Sequence, residues 1–271
     1  MIRELTSLAE VRAACGDDDL PVWAAQDLRG GARAWTLGDA VVTAAPEVSR
    51  HNRLAVWGGT SCAVELVRHA LSELGPSYRP FGERELMSRV TAELDGIEAA
   101  GKFSWMSLAA DHGRSGDPAG GVADDPGGAT WSGGDAGSGR LTGPDGVAWL
   151  GEDADGEIAT LLAGHAPDSY AAPGMPGVSR WAGTRIGGVL ASVAADAWSA
   201  PSVGLLAGVA THDGFRGRRL AERVCRWVSR ELVAKHGRAA LMVDDDNAPA
   251  IGVYERLGYR RRLVMASYAT T

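Results

Sequence analysis

The stretch His212-Asp-Gly-Phe-Arg-Gly-Arg-Arg-Leu-Ala221 sets two glycines and three arginines at one corner of the chain. It follows an apolar run, residues 203–211, and leads into a segment with helical spacing, residues 222–236. A helix N-terminus carries unpaired N–H donors and roughly half a positive charge, so phosphate groups settle there readily. Gly214 and Gly217 permit loop dihedrals that a side chain resists. Arg216, Arg218 and Arg219 add positive charge within one turn. The chemistry favoured is a cradle for a pyrophosphate. A solvated, Arg-rich helix start gives the same residues, and the corner alone does not choose between the two. The spacing fits neither a P-loop nor a dinucleotide fingerprint.

The surrounding elements must position that corner. Residues 147–150 read as a strand and 155–165 as a helix. Gly187 and Gly188 separate two apolar runs, 178–185 and 189–198, as in a hairpin. The run 203–211 is a nearly all-apolar central strand. In the helix of about 218–236, Leu220, Val224, Val228 and Leu232 recur every four residues, and Gly237 follows as its stop. A strand over 239–245 comes next. Asn247 suits an N-cap and Pro249 the first helical turn, with an end at Leu257-Gly258 and a last strand over 259–268 closing the sheet.

Upstream, residues 1–111 read as a separate α/β domain: an amphipathic N-terminal helix, strands at 32–38, 40–48 and 53–59, helices at 62–74 and 84–100, and a strand at 103–110. Residues 112–146 are rich in Gly, Asp, Ser and Pro, and bury too little apolar surface to offset their ordering entropy, so they are expected to be a flexible linker or long loop. Residues 147–271 form the second domain. The expected fold class is α/β in both.

Composition limits the options. The 271 residues are 45% hydrophobic and can build a core. No apolar run reaches 18 residues, and the N-terminus lacks the apolar stretch of a secretory signal. Cys15, Cys62 and Cys225 are too widely spaced for a zinc site, and their odd number argues against a disulfide framework. A cytoplasmic protein without bound metal is expected, with no membrane partner. The net charge of −7 argues against a nucleic-acid surface.

Two motifs then carry a resemblance. Arg216-Gly217-Arg218-Arg219-Leu220-Ala221 follows the pattern Arg/Gln-x-x-Gly-x-Gly/Ala, and Asn247, Ala250, Tyr254, Gly258 and Tyr259 follow Asn-x-x-Ala-x-x-x-Tyr-x-x-x-Gly-Tyr/Phe. Together they resemble the GNAT superfamily of acyl-CoA N-acyltransferases, and more narrowly its glycine N-acyltransferase-related subgroup. The resemblance covers residues 147–271, and implies a mixed, mostly antiparallel sheet with flanking helices. Residues 1–111 share only the rhythm of strands and helices, as in a degenerate second copy. In one departure, Arg219 stands where the family has glycine.

The resemblance implies acetyl-CoA or another acyl-CoA as co-substrate and a small-molecule amine as acceptor. It places the pantetheine arm along Val209, Ala210 and Thr211, and the pyrophosphate on Arg216, Gly217, Arg218, Arg219, Leu220 and Ala221. The backbone N–H near Val209 would polarise the thioester carbonyl, Tyr254 would protonate the leaving thiolate, and Asn247 would contact the pantetheine and cap its helix. Asp196 and His212 are the nearest candidates for a base, though both types of residue are more often structural in such places. Asp244, Asp245 and Asp246 could face a cationic substrate or simply end a strand. Trp181 and Trp198 read as packing residues. A non-CoA donor, such as an aminoacyl-tRNA or a carrier protein, and a non-catalytic acyl-CoA sensor remain as alternatives.

Overall fold

The computed structural model describes residues 1–109 and 146–270. All of the expected linker 112–146 except Gly146 lies outside the described residues. In chain order the strands are β1 (Arg3–Leu5), β2 (Arg33–Leu37), β3 (Ala40–Val48), β4 (His51–Trp57), β5 (Tyr78–Glu83), β6 (Ile97–Ala109), β7 (Val147–Trp149), β8 (Val178–Ile186), β9 (Val189–Ala197), β10 (Gly204–Thr211), β11 (Arg238–Asp244) and β12 (Arg260–Ala269). The helices are α1 (Leu8–Ala14), α2 (Asp19–Ala24), α3 (Thr60–Leu74), α4 (Arg84–Glu93), α5 (Asp155–His165), α6 (Leu220–His236) and α7 (Ala248–Arg256).

The strands join in a single sheet of order β1-β2-β3-β4-β5-β12-β6-β11-β10-β9-β8-β7. The two halves repeat one plan. In each, antiparallel strands lead to a parallel pair, β4 with β5 and β10 with β11, linked by α3 or α6. A second helix, α4 or α7, then leads to a last strand, β6 or β12.

Those last strands are exchanged. β12 lies between β5 and β6, and β6 between β12 and β11. The strand expected to close the C-terminal sheet therefore completes the N-terminal one. Interstrand hydrogen bonds do not depend on which half supplies a strand, and both strands bury consecutive residues, 104–106 and 264–267, because both faces of the sheet are covered there. Val264 and Ala266 pack on one face, and Met265 on the other.

One face carries α1, α2 and α5 over a core shared by both halves. Trp23 is wholly buried there, against Phe81 and Trp105, and its indole N–H donates to the Trp198 carbonyl at 2.8 Å. Burying an indole of ~200 Å² contributes on the order of 5 kcal/mol. On the other face α3 and α4 cover the N-terminal strands, and α6 and α7 the C-terminal ones. Ion pairs also tie the halves together: Arg238 to Asp17 at 2.8 Å, and Arg262 to Asp18 and Asp19.

Three local expectations differ. The helix expected over 84–100 stops at Glu93, because Gly96 turns the chain at φ +77° into β6. Strand β5 was not anticipated, since Pro80 and Gly82 mask its alternation. The N-terminal segment forms β1 before α1, and α2 follows. No helix among the described residues is long and apolar enough to cross a membrane.

Candidate active site

The site begins where β10 and β11 part. They pair only at Gly204–Ala239 and Leu205–Ala240. Beyond that point β10 keeps its antiparallel partner β9 as far as Thr211–Ser192, but pairs with no described strand on the β11 side. The counterpart pair, β4 and β5, stays in register from Asn52–Tyr78 to Val56–Gly82, so the N-terminal half has no such wedge.

A bulge interrupts β10 inside the wedge. Ala207 pairs with Ala195 and Ala210 with Val193, so Gly208 and Val209 together face Ala194. Gly208 has φ +61°. A Cβ there would stand 2.4 Å from Trp181 Cη2, and only glycine fits between that ring and the strand. The bulge takes the backbone of Gly208 and Val209 out of the regular β9 ladder. Ala210 is buried and Thr211 half-buried, and the Thr211 hydroxyl shares a 2.8 Å hydrogen bond with Ser192.

The arginine corner follows. His212 Nδ1 accepts from the Gly214 N–H at 3.0 Å and fixes a short turn. Arg216 pairs with Asp213 at 2.8 Å, and the Arg218 guanidinium lies 5.4 Å from the Phe215 ring. Gly217 has φ +76°. Arg219 has φ +55° and ψ +26°, the left-handed backbone that glycine adopts without cost. The departure from the family pattern therefore keeps the glycine-like conformation. α6 starts at Leu220 with no side-chain cap. The first N–H groups of a helix lack intrahelical partners, so those of Leu220 and Ala221 face the corner as donors.

Glu222, in the first turn of α6, would oppose an anion if it stood alone. Arg226 at 2.8 Å and Arg256 at 3.2 Å neutralise it. Burial works to raise its pKa, but the Arg256 hydrogen bond and the charges of Arg256, Arg226 and Arg219 hold it below the usual carboxylate range.

α7 closes the wedge. Asn247 caps it, its Oδ1 accepting from the Ala250 N–H at 3.2 Å, and its side chain is exposed. Tyr254 packs in the same apolar layer as Val209, Cys225 and Val243. Burial, with Cys225 and Tyr259 nearby, pushes its hydroxyl well above the ordinary tyrosine pKa, so it stays protonated. Tyr259, 6.0 Å away, satisfies its own hydroxyl on Ser229 at 2.8 Å. No described residue hydrogen-bonds the Tyr254 hydroxyl.

The other candidates have structural partners. Asp196 is fully buried, and its two oxygens accept from Arg180 Nε at 3.2 Å and Ser199 Oγ at 2.6 Å. Ser199 in turn accepts from the Leu205 N–H, so Asp196 braces the turn into β10. These bonds give Asp196 a structural role. His212 stacks on His165 at 4.4 Å and serves the turn. Asp245 is held by Ser104, Arg84 and Arg261, while Asp244 and Asp246 are exposed. Trp181 and Trp198 are buried as expected. Sequence reasoning missed the bulge, although Gly208 inside an apolar strand is its usual signal.

Residues 186–268 match the family described as FR47-like protein. No curated protein matches the chain. Among solved structures, a GCN5-related N-acetyltransferase from Kribbella flavida is 17% identical, with 91% of this chain and 93% of that one covered and a TM-score of 0.53. A second, from Sphaerobacter thermophilus, is 15% identical, with 99% and 94% covered and a TM-score of 0.51. The narrower likeness to glycine N-acyltransferases finds no support among these matches. The stretch that carries the wedge, the corner and α7 is thus similar to the FR47-like family, and the chain as a whole has the fold of these GCN5-related N-acetyltransferases.

Proposed function

We propose that the protein transfers an acyl group from an acyl-CoA, with acetyl-CoA the first choice, to the amine of a small molecule by direct attack. The observation that carries this is the continuity of three features along one stretch. The β10–β11 wedge holds a bulged backbone, and the same strand runs straight into an uncapped helix N-terminus with three arginines. A thioester with a long arm and a pyrophosphate has that linear order of chemistry. The corner fits the pyrophosphate: Gly217 and Arg219 both hold left-handed backbone, and Glu222 is already neutralised.

In this reading Val209, Ala210 and Thr211 line the pantetheine arm. Arg216, Gly217, Arg218, Arg219, Leu220 and Ala221 hold the phosphates. The Val209 N–H donates to the carbonyl oxygen as it gains charge. The acceptor enters as the free amine, and its nitrogen forms the new bond to the carbonyl carbon. As the carbon–sulfur bond breaks, Tyr254 gives its proton to the thiolate, the amine's proton passes to water, and water returns a proton to Tyr254. Asn247 contributes through its cap. Asp196 has no part, being held by Arg180 and Ser199.

Calorimetry with acetyl-CoA and a mass-spectrometric screen of isotope-labelled acetyl-CoA across an amine panel test the proposal. Saturable binding with label in an amide product is expected. Absence of binding would sink the reading, and binding without transfer to any amine would make the protein an acyl-CoA sensor.

A further inference from the structure

A second cationic cluster lies at the hairpin between β3 and β4. Val48 pairs with His51, and the two residues between them, Ser49 and Arg50, have φ of +52° and +63°. Two left-handed residues in such a turn are normally Asn-Gly, and backbone strain of this kind persists only where surrounding structure enforces it. Arg53 does so. Its Nε donates to the Val48 carbonyl at 3.2 Å, and its Nη2 to the Ser49 carbonyl at 3.0 Å. It is only 5% exposed.

Around this turn stand Arg50, Arg53 and, on the adjacent strand, Arg79, which pairs with Arg53 in the β4–β5 register. Among the described residues no carboxylate pairs with any of the three. In a chain of net charge −7 with many arginine–carboxylate pairs, three uncompensated arginines in one place are a departure. Arg79 Nη1 lies 3.2 Å from His51 Nε2. An arginine only donates, so Nε2 accepts and the imidazole proton sits on Nδ1. Burial first, then Arg53, Arg79 and Arg50, push the His51 pKa down to about 4. The ring is neutral at pH 7 and offers one N–H.

Tyr170 completes the cluster from the far half of the molecule. Its ring is 6.2 Å from His51 and 5.6 Å from the Arg50 guanidinium, and it is half exposed. Its neighbour Ala171 is buried against the bulge, with its Cβ 3.1 Å from where a Cβ on Gly208 would stand. The α5–β8 loop thus links the cluster to the thioester end of the wedge within one residue. It does so on the face away from α6 and α7.

We propose that Arg50, Arg79 and His51, with Tyr170 facing them, form a subsite that binds a carboxylate or phosphate group of the amine acceptor. Each of these side chains can donate a hydrogen bond, and the positive charge has no internal partner. That the bound group belongs to the acceptor rests on the transfer activity proposed above. The anion site itself does not.

The test is an NMR titration of the full chain, following the histidine rings and the backbone amides. The probes are sodium phosphate and sodium acetate, each against sodium chloride at equal ionic strength. Phosphate or acetate should shift the His51 ring signals saturably, and the stronger of the two identifies the preferred anion. Arg79→Gln should weaken that binding about tenfold, as loss of a charge-assisted hydrogen bond does, without lowering Tm, because it removes a like charge from beside Arg53. Arg50→Gln, at an exposed turn position, provides the same test if Arg79→Gln folds poorly. His51 signals that ignore both anions, or respond equally to chloride, would overturn the site. A fall in Tm in both variants would make the cluster a purely structural one.

Acetyl-CoA is then added separately. Shifts of the Gly217 and Leu220 amides report the corner, so failure there with an intact His51 response counts against the transferase reading alone. Finally, an α-amino acid and its decarboxylated amine are compared, each also as the phosphate-bearing amine if phosphate is preferred. Only the anionic amine should move His51 and the Val209 amide together. Movement of His51 without Val209 would overturn the assignment to the acceptor.

Discussion

Gly208 and Trp181 meet so closely that a methyl group on the glycine would fall 2.4 Å from Cη2 and 2.7 Å from Cζ3 of the indole. The ring therefore backs the bulge from the face opposite α7. Gly208→Ala should cost about 2–4 kcal/mol, from overpacking together with a left-handed backbone. It should also move the Val209 N–H, and lower kcat on the order of 10²-fold. Denaturant unfolding and steady-state kinetics read the two effects. Unchanged stability would mean that the indole does not support the bulge.

Tyr254→Phe keeps the packing against Tyr259 and Cys225 and removes only a hydroxyl that no described residue binds. Stability should change by less than about 1 kcal/mol, since no described hydrogen bond is lost. kcat should fall on the order of 10²-fold, with acetyl-CoA affinity little altered. Full kcat in the variant, with chemistry rate-limiting, would leave Tyr254 as a packing residue.

Arg219 allows a test of backbone conformation. Glycine is already preferred to alanine at an N-cap, and φ of +55° widens that preference. Arg219→Gly should be more stable than Arg219→Ala by about 1 kcal/mol. Equal stability, or a more stable alanine variant, would show that the left-handed conformation is absent in solution.

Arg218 is exposed, and its guanidinium lies over the Phe215 ring. Arg218→Ala should raise the KM for acetyl-CoA roughly tenfold, the effect of one charge-assisted contact. kcat should stay nearly constant, because a phosphate contact serves ground and transition states alike. The difference should shrink in 0.5 M salt, where the Debye length is only roughly 4 Å. A salt-independent effect would point to packing on Phe215.

His51 makes a prediction about pH. Its pKa is about 4 in the folded protein against 6.5 ordinarily. The unfolded chain therefore takes up this proton first as the pH falls. The stability linked to His51 is fully present above about pH 6.5 and is lost between there and about pH 4. The groups facing the ring are Arg50, Arg53, Arg79 and Tyr170. After allowance for solvent screening of a half-buried ring, the loss is on the order of 1 kcal/mol. His51→Asn should flatten the pH dependence in that window, as measured by denaturant unfolding at each pH.

Local chemistry was legible in the sequence. The Asn247 cap with Pro249, the four-residue rhythm of Leu220, Val224, Val228 and Leu232, and the Gly187-Gly188 hairpin all describe interactions within a few residues. Interactions across the sheet were not. Asp196 looked available because its partner Arg180 meets it only through the β8–β9 register. Arg53 and Arg79 lie on two strands joined through α3, with Arg50 in the turn before the first, and the second strand hides behind Pro80 and Gly82. The exchange of β6 and β12 is decided by pairing over more than a hundred residues, which no local period records.

That exchange has a consequence for synthesis. When β6 is complete at Ala109, β5 and β6 still lack the strand that belongs between them, and 160 further residues must follow before Ala269 completes it. At a translation rate of about 5–20 residues per second the wait is roughly 10–30 s. Two strand edges stay open throughout, and an open edge is a template for another chain. Nascent copies on one messenger are therefore exposed to mutual strand capture, and a chaperone that shields open edges during synthesis should raise the yield of this protein.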